Sequence, residues 1–189
     1  MNRREAVQSV AILMGGSIVG GNLFMAGGCK ASTPRVDKLF KPDMQELLAE
    51  IAETILPATS TPGAKEAGVA EFIPVMVRDT YDNKQQKIFL DGVNSMDKLS
   101  KDQFGHAFMH ITPQQRTALL VQLDKEQKAY HEKKKPEDPP HFFRMVKELT
   151  LLGFFTSEVG ATRALRYVQV PGRYDGCIDY KKGDRAWAL

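Results

Sequence analysis

Two histidines, His106 and His110, stand four positions apart, the separation that sets two imidazoles on one helix face for a zinc ion. No Glu sits between them in the metalloprotease arrangement and no third ligand is near, so a core or surface role is the simpler reading. Ser157-Glu158 lacks the glycine-flanked elbow of a serine hydrolase, and Ser157 reads as a helix cap. Two cysteines in the whole chain are too few for an iron–sulfur cluster, and neither begins a Cys-x-x-Cys-His haem attachment site. The run Gly15-Gly16-Ser17-Ile18-Val19-Gly20-Gly21 is rich in glycine, but no strand precedes it and no phosphate-binding context comes after it. Glu46, Glu50 and Glu53 lie along one helical stripe and read as its solvated face. The expectation is therefore no catalytic residue, no bound cofactor and no metal site.

The informative chemistry is at the start. Arg3-Arg4, then an uncharged stretch from Ala6 to Cys29, reads as a twin-arginine export signal over residues 1–28. Asn2 to Glu5 is the charged region and Val10 to Phe24 the apolar one, diluted by Gly15, Gly16, Gly20 and Gly21. Ala26-Gly27-Gly28 supplies the small residues for cleavage. The pattern departs from the usual one at Ala6, Val7 and Gln8, which stand where Phe-Leu-Lys is common after the arginines. An uncleaved anchor is the competing reading, with an apolar region that is short for a span of about 20 residues.

Cys29, directly after small residues, is the acceptor pattern of lipoprotein processing, although Ala26 stands where Leu is usual; simple cleavage near Ala31 is the alternative. Either outcome places the chain in the periplasm, and acylation of Cys29 would hold it on a membrane by a lipid anchor. Residues 29–42, with Ser32, Thr33, Pro34 and Pro42, read as a tether. The twin-arginine translocase carries proteins already folded, usually around a cofactor. A small chain that uses this route without a cofactor motif points to an escort travelling with something larger.

The chain has 189 residues and a formal charge of +3, from which loss of Arg3, Arg4 and Glu5 removes one unit. So weak a balance does not indicate nucleic acid. The basic run Lys133-Lys134-Lys135, beside Pro136, Glu137, Asp138, Pro139 and Pro140, reads as a solvated loop.

Beyond the tether, helical periodicity dominates and strand alternation is nearly absent. Asp43 to Leu56 carries a stripe of Met44, Leu47, Leu48, Ile51, Ile55 and Leu56, with Asp43 and Glu46 resembling a capping box and Pro57 as its stop. A turn at Thr61-Pro62-Gly63 precedes helices over Val69–Tyr81 and Lys84–Leu99. Thr112-Pro113-Gln114-Gln115 is a strong helix start, with Thr112 as cap and Gln115 closing the box, for a helix reaching about Tyr130. Phe142–Phe155 is apolar on more than one side and so is expected at the centre, and Ser157–Tyr167 reads as a short sixth helix. From Arg173 to Leu189 there is no period. The fold expected for residues 43–189 is an all-α small irregular bundle of five to six helices with an irregular C-terminal tail.

The segments Ile55-Leu56-Pro57-Ala58, Thr61-Pro62-Gly63-Ala64, Ala67-Gly68-Val69 and Phe72-Ile73, with Leu149 to Glu158 and Val170 to Cys177, resemble the gluconate 2-dehydrogenase subunit 3 family. The resemblance runs from about Asp43 to Cys177 and is specific at its two ends. It implies a non-catalytic small subunit of a membrane-associated sugar or polyol dehydrogenase, whose large subunit carries FAD in a glucose-methanol-choline oxidoreductase fold. It also implies that the small subunit supplies the export signal its flavoprotein partner lacks, and a cytochrome subunit is a further candidate partner. Pro171, Gly172, Tyr174, Gly176, Cys177, Tyr180 and Trp187, in a segment without a core-forming period, are the residues expected to touch the partner. Cys177 is expected either to bridge to the flavoprotein or to lie buried as a free thiol. The competing classes are a stand-alone envelope enzyme and a structural lipoprotein without a redox partner.

Overall fold

The computed structural model describes residues 39–170, 172–173 and 176–188. Arg3, Arg4 and Cys29 lie outside the described residues. Helix α1 spans Pro42–Ile55, α2 Val69–Thr80, α3 Asn83–Phe104, α4 Pro113–Lys133 and α5 Phe142–Thr156. A 3-10 turn, Phe108–His110, joins α3 to α4, and a π-helical turn, Gly160–Ala164, comes after α5. There is no β-sheet among the described residues, so the expected all-α bundle is what forms. No helix among them is long and apolar enough to cross a membrane.

Helix boundaries are set by their caps. At α4 the Thr112 hydroxyl accepts from the Gln115 N–H at 3.3 Å, and the Gln115 side chain accepts from the Thr112 N–H at 2.9 Å. This is the reciprocal box expected from the sequence. An equivalent box, Asp82 with Gln85, starts α3. The box expected at Asp43 and Glu46 does not form: Pro42, whose fixed φ suits the first helical position, sets Lys41 as the cap, and Asp43 falls inside the first turn. Helix α3 runs past Leu99 to Phe104 and ends at Gly105, whose φ of +79° is the left-handed conformation glycine adopts without strain.

The core is built around α5, which contacts all four other helices. Its inner face presents Met145, Val146, Leu149 and Thr150, and the Thr150 hydroxyl is satisfied by the Val146 carbonyl at 2.8 Å. Two glycines let helices approach closely. A Cβ on Gly153 would stand 2.7 Å from the Phe72 ring on α2, and one on Gly92 of α3 would run into Phe142. Phe40, Phe89 and Phe108 are fully buried. Truncating any one of them to Ala would cost about 3–5 kcal/mol.

Glu50 is not the solvated carboxylate its stripe suggested. It pairs with both Lys65 and Arg116, and Arg116 also donates to the carbonyls of Phe108 (3.1 Å) and Met109 (2.9 Å). One guanidinium thus ties α1, the 3-10 turn and α4 together. Partial burial pushes the Glu50 carboxyl upward, but the Lys65 hydrogen bond and the Arg116 charge outweigh it and hold the group below its ordinary value.

Candidate functional site

The loop from Leu56 to Gly68 is built on the Glu53 side chain. One of its carboxylate oxygens accepts from the Ala58 N–H at 2.9 Å and the other from the Lys65 N–H at 2.9 Å. The Ala64 N–H adds a bond to the Leu56 carbonyl at 3.0 Å. Three backbone donors of a surface loop are thereby fixed without a helix or sheet to use them. Gly63 is required by this cradle, because a Cβ there would meet the Glu53 carboxylate and would stand 2.7 Å from the Ala58 nitrogen.

The end of α5 is shaped by a second close approach. Ser157 donates from Oγ to the Phe154 carbonyl at 2.7 Å and accepts from the Gly160 N–H at 2.9 Å, so it closes one helix and opens the next turn, as expected for a cap. A Cβ on Gly160 would collide with the Phe154 carbonyl. The sixth helix expected over Ser157–Tyr167 therefore winds into the wider π turn, with the Leu165 N–H bonded to the Gly160 carbonyl at 2.9 Å, and stops at Ala164.

Between these two features lies an apolar groove of about 380 Å³. Leu56, Pro57, Thr59, Thr61 and Pro62 line it from the loop, Phe154 and Phe155 from α5 and Ala164 from the π turn. An ion pair between Glu66 and Arg163 connects the loop to the π turn. Phe154 is buried and packs edge-on against Phe155 at 5.1 Å, leaving Phe155 42 % exposed; Leu152, one turn earlier on α5, is 44 % exposed.

The tail folds back on the π turn. The Arg166 N–H bonds the Ala186 carbonyl at 2.8 Å, the Ala188 N–H bonds the Arg166 carbonyl at 2.9 Å, and the Arg166 guanidinium lies 4.8 Å from the Trp187 ring centre. Trp187, expected to await a partner, has one face occupied within its own chain and is still 51 % exposed. Tyr180 is 77 % exposed, Gly176 is exposed, and Gly172 has open space where a side chain would stand. Cys177 is an exposed free thiol, which overturns the expectation that it could lie buried: the surrounding segment has no packed layer to cover it. Pro171 and Tyr174 lie outside the described residues.

His106 and His110 do not share a helix, since one stands past the end of α3 and the other lies in the 3-10 turn. Among the described residues no cluster of three or more His, Cys, Asp or Glu could hold a metal ion. The Asp124 carboxyl is held down to about 2 by hydrogen bonds from Lys128 and Lys147. Through Lys147 it staples α4 to α5, a structural use of the charge.

The geometry defines an all-α bundle that presents an apolar groove built by two distant stretches of chain. The family model for gluconate 2-dehydrogenase subunit 3 matches residues 42–172, and the chain belongs to that family. Comparison with curated proteins and with solved structures gave no match. The matched segment contains both walls of the groove, and it ends before Arg173, where the basic and aromatic part of the tail begins.

Proposed function

We propose that this chain is a non-catalytic accessory subunit that binds and stabilises a FAD-containing sugar or polyol dehydrogenase large subunit of the glucose-methanol-choline type. It carries that subunit through the twin-arginine pathway to the periplasm, where acylation of Cys29 would hold the pair on a membrane. The supporting observation is the family match over residues 42–172, a family described as a subunit of a dehydrogenase. Arg3 and Arg4 support the export half of the reading, because a folded flavoprotein without its own signal needs an escort that has one. In this reading FAD belongs to the large subunit and the reaction occurs there. A surface that stays bound through a translocon must be substantial, which the groove together with the exposed residues of α5 and the tail would supply.

The test is co-expression of the large subunit with this chain, with its Arg3→Lys/Arg4→Lys variant, and without it, followed by dehydrogenase activity in the periplasmic fraction. Activity is expected only with the unaltered chain, because the pathway reads the guanidinium pair and not charge alone. Equal periplasmic activity in all three would end the escort reading.

A further inference from the structure

We propose that the groove between the Leu56–Pro62 loop and the Gly160–Ala164 turn is the seat for an apolar segment of the large subunit that is flanked by acidic residues. The proposal rests on the function above and assigns the surface and the chemistry of what occupies it.

The groove is built before anything enters it. Glu53 and Gly63 fix one wall, Gly160 against the Phe154 carbonyl fixes the other, and Glu66 and Arg163 tie the two. A site with fixed walls does not lose its own freedom when a partner docks, so the burial of Phe155 goes into affinity. Both walls fall within the family-matched residues, as expected for a surface that serves the role the family shares.

Charge gives the occupant its sign. From residue 163 onward there are six basic residues, Arg163, Arg166, Arg173, Lys181, Lys182 and Arg185, against three acidic ones, Asp175, Asp179 and Asp184. Residues 39–162 have the opposite bias, with eighteen acidic against fifteen basic. At the π turn this bias is local: Arg163 lies within it, Arg166 just past it, and the Arg185 guanidinium donates to the Arg163 carbonyl at 2.9 Å. An acidic flank on the incoming segment complements it, and a basic one is repelled. A second copy of this chain, with its acidic helical body, is the competing occupant.

The experiment purifies the complex through a tag on a co-expressed large subunit from the same genome. It compares the unaltered chain with Phe155→Ser, in the groove, and with Arg185→Glu, at the π turn. Both positions are exposed, and circular dichroism of each variant verifies the helical content. The groove variant is expected to lose affinity tenfold or more, and the charge variant to lose affinity at low salt and show a flatter salt dependence. A salt titration of the unaltered complex gives a reading free of any substitution: its affinity should fall as salt rises. Both variants co-purifying like the unaltered chain would overturn the proposal while leaving the proposed function standing. So would an isolated chain that is dimeric by light scattering and becomes monomeric in the groove variant. Failure of the unaltered chain to co-purify at any salt would instead overturn the proposed function, and this proposal with it.

Discussion

The Glu53 carboxylate fills the space in front of Gly63, closer to the position of a Cβ than real Cβ atoms approach. The two residues are one device, in which a side chain supplies the acceptors for Ala58 and Lys65 and the glycine makes room for it. Gly63→Ala should cost about 1–3 kcal/mol, the penalty for leaving loop donors unsatisfied. Thermal unfolding measures it, at about 2–4 °C per kcal/mol for a chain of this size. Glu53→Ala should cost a similar amount, and the double variant less than the sum, since both act on the same bonds. Strict additivity would mean that the two residues act separately.

A pair of glycines near the C-terminus makes a contrast. Gly160→Ala would drive a methyl into the Phe154 carbonyl and should unwind the π turn, whereas Gly172 faces open space and Gly172→Ala should change stability by less than about 0.5 kcal/mol. Hydrogen exchange at Leu165, whose N–H closes the π turn, should accelerate in the first variant and not in the second.

Acid sensitivity should come in two steps. His141 accepts the Phe143 N–H through Nδ1 at 3.2 Å as the cap of α5, and burial lowers its pKa despite the opposing charge of Glu126. Between 6.5 and the lowered folded value the unfolded chain binds the extra proton, so stability is full above 6.5 and falls as pH drops through that window. His141→Asn keeps a cap that does not titrate and should flatten this step. Asp124 contributes above its ordinary value of 3.8 and loses its contribution as pH falls toward about 2, a range in which the lowered Glu50 carboxyl also loses its own, so Asp124→Asn should shrink the lower step without abolishing it. Urea midpoints measured across pH separate the two, and a step left unchanged by its own substitution belongs to another group.

The Cys177 thiol should label rapidly in the isolated native chain, since it is exposed. In the purified complex it should be protected, with a band at the summed mass of the two subunits on non-reducing electrophoresis. A lone small-subunit band rules out a bridge.

What the sequence made legible was local. Thr112 and Gln115 are three residues apart and announce their own box, and Phe142–Phe155, apolar on more than one side, announces a central helix. The groove was less accessible, because its walls come from stretches about a hundred residues apart and only packing brings them together. Glu50 and Glu53 looked like a solvated stripe for the same reason: Arg116 lies 66 positions from Glu50, and the Lys65 amide 12 from Glu53. Helical period reports which face a residue occupies, and it is silent about what later folds against that face. The short sixth helix forms, but its π winding and its end at Ala164 were not legible, because a close approach between Gly160 and a carbonyl leaves no periodic trace.

The α-helix that touches every other one is also the last of the five that the ribosome makes. Until Phe142–Thr156 has emerged, each of α1 to α4 lacks one of the surfaces it packs against, so native packing is completed only after α5 is made. The proposed export route, which accepts only finished proteins, would suit such an order of events, because a chain threaded outward as it was made would leave its first four helices without their centre.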